Sequence, residues 1–279
     1  MYNLDLFLTE NYNLFDLTIN NNLSDNINIS KSSENTYTFL STSKKFAALK
    51  ISEIITEFII CNYENNIIKK LVYSDYPYFS NKEKDNIIAK TIDIIEPNDN
   101  NDLAKTLIIL KRRFLIKQSV LNFISENSYI NLSGFIQFRL IEYKKLLSDL
   151  VEKVINDLKI QNEYNEFIAM LKFFVDTQKN RVSKLHIIFE ENGEYTILNE
   201  CNKNITTDCF KDFLNDSQSH SLSNEDLLIS SLITLAPKKI IVHLAGNSYN
   251  KKILNTIEQI FTNKVVLNES VPNLELVTN

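Results

Sequence analysis

The spacing of apolar residues changes twice along this chain, from period two to the helical period and back. Up to residue 42, short apolar pieces alternate with Asn, Ser and Asp, and the pieces NLDLFL, INIS and TYTFL predict strands. From Ser43, a candidate helix cap, apolar residues recur every three or four positions until about residue 181. Strand-like patterns then return. The chain therefore predicts mixed α and β structure with a helical middle.

A helix predicted from about 101 to 118 carries apolar residues on one face and cations around it. The apolar stripe consists of Leu103, Leu107, Leu110 and Phe114. We expect this stripe to face the core. In the segment LKRRFLIK, successive residues turn by about 100°, so Lys111, Arg112 and Arg113 fan around the helix. Because Arg112 lies opposite the stripe, we interpret the cations as a solvated collar and expect no nucleic-acid surface.

Residues 131–180 predict two long helices that pack as an antiparallel hairpin. Asn131 is a candidate cap for the first helix. The apolar stripe of the first helix holds Ile136, Leu140, Tyr143, Leu147, Leu150, Val151, Val154 and Leu158. The stripe of the second holds Tyr164, Phe167, Ile168, Leu171, Phe174 and Val175. Because no long linker separates the two helices, we expect their stripes to pack together.

Residues 182–268 predict a small sheet with accompanying helices. The segments KLHIIFE and EYTILN flank a glycine-containing turn at 191–193, which is typical of a β-hairpin. Ser223 and Asp226 resemble a capping box before the apolar helix LLISSLITLA. The strand KKIIVHLA, a helix from about 248 to 262 and the strand KVVL then predict a βαβ unit.

These patterns predict an α+β fold in two regions. The first, residues 1–125, is a mixed region of strands followed by helices, and the second, residues 126–279, contains the helix hairpin and the α/β part. The sharpest change of period, near residue 181, is the best candidate for a seam. No internal repeat and no linker rich in Pro or Gly is present, so a single compact unit is the alternative.

The composition indicates an ordinary globular protein. Of 279 residues, 44% are hydrophobic and 23% charged, and the net charge of −5 disfavours general affinity for nucleic acid. The three cysteines form no CxxC pair, so we expect a reducing compartment. The start MYNLDLFLTENY lacks the basic region of a signal peptide, and LLISSLITLA has about half the length of a membrane span. We therefore expect a soluble, cytoplasmic protein without a transmembrane segment.

Arg139 is the first candidate for ligand binding. It lies on the flank of the stripe of its predicted helix, with Phe135 on the same flank and Phe138 almost opposite. Because these first turns are apolar on several sides, we expect its guanidinium to be partly buried. An unpaired buried charge costs several kcal/mol, and Glu142, one turn on, would supply a structural ion pair. Alternatively, Arg139 would clamp a carboxylate or another anion from outside. Gly134, in the first turn, is expected to permit close approach of another element.

His186 and His243 are the second candidates, because both lie in predicted strands. If these strands are neighbours, the two imidazoles would be close to each other on one sheet face. Two histidines are too few for a structural zinc site, and neither Cys201 nor Cys209 has zinc-finger spacing. We expect no metal site, and core packing is the simpler interpretation of each histidine.

The turn after the strand that holds His243 is the third candidate. Gly246 allows a tight turn, and Asn247 or Ser248 can cap the next helix. Ligands of open α/β sheets bind beyond the carboxyl ends of strands, near helix N-termini. However, one glycine makes neither a GxGxxG motif nor a P-loop, so a plain strand-to-helix turn is the favoured interpretation.

Four blocks of the chain resemble one known family. In order, they are NLSGFIQFRLIEYKKLLSDLVEKVIND, EYNEFIAMLKFFVDTQ, KLHIIF and DLLISSLITLAPKKIIVH. Over roughly residues 125–265, the chain is similar to the YtxC-like family of sporulation proteins from endospore-forming bacteria. The resemblance implies a role linked to sporulation with an unassigned molecular activity. It carries over no catalytic residue.

Two classes of function follow from these observations. The first is a non-enzymatic sporulation factor that acts through contacts with an unknown protein partner. The second is a small-ligand-binding or hydrolytic α/β protein that uses the strand, turn and helix around 243–248, together with Arg139. No catalytic residue, cofactor or metal is assigned, and the oligomeric state stays open. Convergence of Arg139, His186 and His243 on one open pocket would favour the second class.

Overall fold

The chain folds into two compact units, Met1–Lys159 and Ile160–Asn279. This computed structural model describes residues 2–22, 27–96, 102–190, 194–214, 223–244 and 250–268. Each unit contains its own small sheet and several helices, which confirms the expected α+β class. In the ranges described, no helix has an apolar stretch long enough to cross a membrane.

The sheet of the first unit has four strands. They are β1 (Tyr2–Phe7), β2 (Asn28–Ser33), β3 (Thr36–Ser41) and β4 (Tyr129–Asn131). Their order is β2-β3-β1-β4, and only the β1-β4 pair is parallel. The first three strands confirm those predicted from alternating apolar residues. The fourth strand has three residues, too few for a period-two pattern to reveal it.

Helices cover this sheet and form most of the first unit. They are α1 (Tyr12–Asn22), α2 (Lys44–Asp75), α3 (Asn81–Ile95), α4 (Leu103–Glu126), α5 (Leu132–Phe138) and the first part of α6 (Ile141–Thr177). The Ser43 hydroxyl caps α2 by accepting from the Phe46 N–H, as predicted. The common core includes Leu4, Leu6, Phe39, Ile51, Phe58, Val120 and Leu147.

The hairpin predicted for residues 131–180 is wrong. The chain forms the short α5 and then one continuous helix, α6, of 37 residues. The segment NDLKIQNEY, between the two predicted helices, contains neither Pro nor Gly, so nothing interrupts the backbone hydrogen bonds there. The interruption comes earlier, at Arg139, which caps the C-terminus of α5 with φ −111° and ψ −17°.

The sheet of the second unit also has four strands. They are β5 (Val182–Phe189), β6 (Tyr195–Leu198), β7 (Pro237–Leu244) and β8 (Val265–Asn268). The order is β6-β5-β7-β8, in which β5 and β6 are antiparallel and the other pairs are parallel. The strands of the predicted hairpin are confirmed, and its turn at 191–193 lies outside the described residues.

Three short helices and the end of α6 accompany the second sheet. The short helices are α7 (Thr206–Leu214), α8 (Asn224–Leu235) and α9 (Lys251–Ile260). Ser223 and Asp226 form the predicted capping box at α8, and β7, α9 and β8 form the predicted βαβ unit. One sheet face packs on these helices through Leu185, Ile187, Ile240, Val242, Leu228, Leu232, Ile253 and Ile257. Because side chains alternate along a strand, His186 and His243 lie on the other face.

Candidate functional site

Two histidines meet on adjacent parallel strands. His186 of β5 pairs in register with Ile241 of β7, and His243 pairs with Ile188, so the two imidazoles share one sheet face. Nδ1 of His186 lies 2.8 Å from Nε2 of His243. The ring planes are 11° apart and the centroids 5.1 Å apart, so the rings are nearly coplanar and meet edge to edge through these two nitrogens. Both residues are buried, so the structure joins two candidates that the sequence placed in separate strands.

The histidine pair can hold a single proton between its rings. A hydrogen bond between imidazole nitrogens needs one donor and one acceptor, so the two facing nitrogens share one hydrogen. Burial lowers the pKa of His186, and the charges of Lys184 and His243 lower it further. His186 is therefore neutral at pH 7. Its outer nitrogen, Nε2, is buried and has no hydrogen-bond partner among the residues that the structure describes.

Among the described residues, the histidine pair is not part of a larger cluster of metal-ligating side chains. Within the described part of the chain, no cluster of three or more His, Cys, Asp or Glu side chains could hold a metal ion. Cys201, which is exposed, and Cys209, which is half-buried, do not join the histidines in such a cluster. The contact between the two facing nitrogens supports a shared proton.

Arg139 occupies a different environment from the one predicted. Its side chain is exposed, and its guanidinium carbon lies 5.7 Å from the ring centroid of Phe123. It forms no ion pair with Glu142 or with any other described carboxylate. The expected buried ion pair is wrong, because α5 ends at Arg139 and Glu142 belongs to the next helix. Arg139 belongs to the first unit and the histidines to the second.

Gly134 does not mark a close approach between elements, so that interpretation is wrong. A Cβ atom at Gly134 would meet only the side chain of Asn131, with 3.7 Å to its Oδ1 and 3.9 Å to its Cγ, which is ordinary contact. The predicted cap is confirmed, because Oδ1 of Asn131 accepts from the Gly134 N–H at 3.1 Å. The space around Gly134 therefore accommodates the Cβ atom of an alanine.

The third candidate site is the segment that follows β7 in sequence. Gly246, Asn247 and Ser248 lie outside the described residues. The helix that follows begins at Lys251, and Asn250 caps it by accepting from the N–H groups of Lys252 and Ile253. The prediction that Asn247 or Ser248 caps this helix is therefore wrong, because the helix starts later than the pattern indicated.

Helix α4 exposes to solvent the face that the sequence pattern predicted to be buried. Its apolar stripe faces solvent, with exposed fractions of 79% for Leu103, 66% for Leu107, 58% for Leu110 and 63% for Phe114. The inward face contains Arg112, Ile116, Val120 and Ile124, all buried. The expected solvated collar is thus wrong for Arg112, because this arginine has a buried partner.

That partner is Glu64 of α2, and Tyr143 of α6 completes a buried polar cluster. Nη1 of Arg112 pairs with one carboxylate oxygen of Glu64, and the Tyr143 hydroxyl donates to the other at 2.6 Å. The three residues are 1–5% exposed. Burial and the Glu64 carboxylate raise the pKa of Tyr143, so the phenol stays protonated and donates. We call these three residues the Glu64–Arg112–Tyr143 cluster.

Two further ion pairs fix α4 against α2. Arg113 pairs with Glu57 at 2.8 Å, and Lys117 pairs with Glu53 at 2.7 Å. The acidic residues of α2 recur at helical spacing, on the face that meets α4. The acidic positions of α2 and the basic positions of α4 therefore match in spacing. This match becomes visible in the sequence only when the two helices are compared, and it indicates the face of α4 that meets α2.

Comparison with known proteins shows the family. The sequence pattern of the YtxC-like family matches residues 49–266, which include parts of both units. The chain is also 25% identical over 217 residues to a Bacillus subtilis (strain 168) protein described as "Uncharacterized protein YtxC". That similarity covers 76% of this chain and 74% of the Bacillus subtilis protein. No solved structure gives a significant match. Because the family pattern matches well over half of the sequence, the chain belongs to the YtxC-like family.

Proposed function

We propose that this protein is a sporulation factor that acts by binding another protein through the exposed apolar stripe of α4. The link to sporulation rests on the family resemblance. The binding role rests on one observation, the solvent exposure of Leu103, Leu107, Leu110 and Phe114, which we call the α4 stripe. Its cellular setting is proposed to be the cytoplasm, as expected for a chain with reduced cysteines.

The α4 stripe is continuous, which distinguishes it from isolated exposed apolar residues. Single exposed leucines are common on proteins, whereas contiguous apolar patches mark interaction sites. The spacing of four, three and four residues places all four side chains along about 16 Å of one helix face. The opposite face of α4 already packs in the core through Ile116, Val120 and Ile124. A helix that is apolar on two opposite faces has a second surface to bury.

The proposed occupant is an amphipathic helix of a partner protein with an acidic residue beside its apolar face. Lys111 lies next to the stripe, is exposed, and forms no ion pair with any residue in the described ranges. Arg113 and Lys117, in contrast, already have carboxylate partners. Charge complementarity therefore favours a partner that brings an acid to Lys111.

Pairing of α4 with the α4 of a second copy satisfies this requirement poorly. From Leu103 to Ser125, α4 contains no acidic residue, so a second α4 would offer Lys111 no counter-ion. Two such helices would instead bring together two sets of cations. A different protein, with carboxylates on its helix, is the better complement.

The test is a site-specific photo-crosslink. A benzoylphenylalanine at Leu107 is irradiated in sporulating cells, and the attached peptide is identified by mass spectrometry. We expect a segment with apolar residues at helical spacing and an Asp or Glu within one turn. Introducing Leu110→Glu should abolish this adduct, and the same crosslinker at Tyr78, 68% exposed elsewhere, should not form it. A crosslink only to another α4, or none, contradicts the proposal.

The sporulation part has its own test. Deletion of the gene from an endospore-forming host should lower the yield of heat-resistant spores, and Leu107→Glu should reproduce the loss. A normal spore yield after deletion would remove sporulation from the proposal and leave the binding surface to be judged by the crosslink alone.

A second candidate function is small-ligand binding or hydrolysis at the strand, turn and helix around 243–248. The observation that favours it is the buried His186–His243 pair, which leaves Nε2 of His186 without a partner among the described residues. Sites of this kind lie beyond the carboxyl ends of parallel strands. A nucleotide panel in a thermal-shift assay tests it. A stabilisation lost in His186→Gln supports it, and an unchanged melting temperature with every nucleotide removes it.

A further inference from the structure

A cavity of about 360 Å³ lies in the first unit, between α2, α5 and the beginning of α6. Its apolar wall includes Ile67 and Ile136, both buried, and the half-buried Leu71. Its polar lining includes Tyr63 and two lysines, Lys70 and Lys144. This volume is at the small end of the range for metabolite sites, and apolar walls with a few polar groups are typical of them.

The Tyr63 hydroxyl at this cavity has an unused hydrogen bond. Tyr63 is 7% exposed, and its hydroxyl is buried without a hydrogen-bond partner among the residues described. Burial raises the pKa of Tyr63 and the Glu10 carboxylate adds to the rise, while the Asn11 side chain lowers it. The phenol is therefore protonated and able to donate. Buried polar groups nearly always have a partner, and Tyr63 lines the cavity, so its hydroxyl can donate to a ligand that reaches it there.

Two lysines give the lining of this cavity its positive charge. Lys70 and Lys144 line the cavity, and neither forms an ion pair within the described parts of the chain. Nζ of Lys144 donates to the backbone carbonyl of Gln137 at 2.8 Å, which holds it in place. Burial lowers the pKa of Lys144, and the nearby charge of Lys70 lowers it further. Two neighbouring cations repel each other, and an anion between them relieves the repulsion.

The charge balance of the cavity favours a singly charged ligand. Glu10 also lines it and is exposed, so the two lysines and this carboxylate leave one positive charge in excess. A monoanion neutralises this excess, whereas a doubly charged phosphate reverses it. The apolar wall, in turn, favours a ligand with a hydrocarbon body over a bare inorganic ion.

We propose that this cavity binds a small organic carboxylate. Its carboxylate lies between Lys70, Lys144 and the Tyr63 hydroxyl, and its hydrocarbon body packs against Ile67 and Ile136. The site does not include the α4 stripe, so this proposal stands apart from the protein-binding function and can fail or succeed without it.

The first test is calorimetric titration of the full-length protein with hexanoate as the probe. Inorganic phosphate and hexanol serve as comparisons, because phosphate has the charge without the hydrocarbon body and hexanol has the body without the charge. We expect saturable binding of hexanoate that is roughly tenfold or more tighter than that of either comparison. No saturable heat with hexanoate overturns the site. Phosphate binding as tight as hexanoate overturns its assignment to carboxylates.

Charge variants locate the binding. Lys70→Gln and Lys144→Gln should each weaken hexanoate binding by roughly tenfold, because each removes a charge-assisted hydrogen bond. The matched control is Lys145→Gln, which removes an exposed charge from the next position of α6 and should leave the affinity unchanged. Lys70 is exposed, so its replacement keeps the test valid even if Lys144→Gln disturbs the contact with Gln137.

Tyr63→Phe separates binding from structure. The hydroxyl has no partner to lose, so this variant should not lower the melting temperature of the ligand-free protein. It should nevertheless weaken hexanoate binding by roughly threefold to tenfold. A lower melting temperature with unchanged affinity shows a structural tyrosine and overturns its proposed role. If Lys70→Gln and Lys144→Gln both bind hexanoate as tightly as the wild type does, the proposed site is wrong.

Discussion

The Glu64–Arg112–Tyr143 cluster allows a sharp test of how α4 is held. In Arg112→Met, the Glu64 carboxylate keeps only the hydrogen bond from Tyr143. In Glu64→Leu, Arg112 stays charged without its counter-ion, and the Tyr143 hydroxyl loses its acceptor. The double variant Glu64→Leu/Arg112→Met removes both charges and leaves a single orphaned group, the Tyr143 hydroxyl.

The magnitudes follow from burial. The side chains of Arg112 and Glu64 are only 6% and 5% exposed, so removal of one partner strands a buried charge. This should lower the free energy of unfolding by about 3–5 kcal/mol. Glu64→Leu should be the more harmful single change, because an unsatisfied buried hydroxyl adds about 1–3 kcal/mol. The double variant carries only this second loss, so it should be more stable than either single variant.

The assay is urea unfolding followed by far-ultraviolet circular dichroism. Hydrogen exchange should localise the change to α2, α4 and α6. Lys117→Met is the matched control, because its pair with Glu53 is 33% and 50% exposed and should contribute less than about 1 kcal/mol. The reasoning is refuted if the two single losses add in the double variant, because independent sites agree with additivity within about 0.5 kcal/mol.

Three further outcomes are expected. Because the pKa of His186 is lowered, the unfolded chain takes up a proton below about pH 6.5 that the folded protein does not bind. The free energy of unfolding should then fall with decreasing pH by up to about 1.4 kcal/mol per unit, and His186→Gln should remove this part of the slope in urea midpoints measured from pH 7.5 to 5. Gly134→Ala should stabilise the protein by about 0.5–1 kcal/mol and so raise its melting temperature, because the added Cβ makes only ordinary contact with Asn131. A lower melting temperature would show that the added methyl group is crowded. Arg139→Met should change the free energy of unfolding by less than about 1 kcal/mol in urea titration, because the visible contact of Arg139 is an exposed cation–π pair with Phe123. A loss of several kcal/mol would show that Arg139 has a structural role after all.

Local signals predicted the elements that depend on local chemistry. Ser43, Asn131 and Ser223 were recognised as helix caps because a cap uses a side chain and a backbone N–H within three residues. The strands β1, β3 and β5 were visible from their apolar alternation. Helix α1 was missed, because its many asparagines are typical of turns and weak in helices.

Long-range pairings could not be derived in the same way. The α4 stripe was assigned to the core because α4 is apolar on two faces, and periodicity cannot tell which face a neighbouring helix covers. Part of the choice depends on Glu64, which is 48 residues from Arg112 in sequence. The contact between His186 and His243 likewise required the register of β5 and β7, which the sequence pattern does not contain.

The Glu64–Arg112–Tyr143 cluster also sets the rotation of α4 about its own axis. Rolling this helix by half a turn would bury Leu107 but would carry Arg112 into water together with Ile116 and Val120. The buried ion pair opposes that roll, because the turned helix leaves the Glu64 carboxylate without its cation. The buried ion pair thus helps to keep the apolar α4 stripe exposed to solvent, where another molecule can reach it. The cluster and the buried Ile116 and Val120 on the same face together keep α4 in a single orientation.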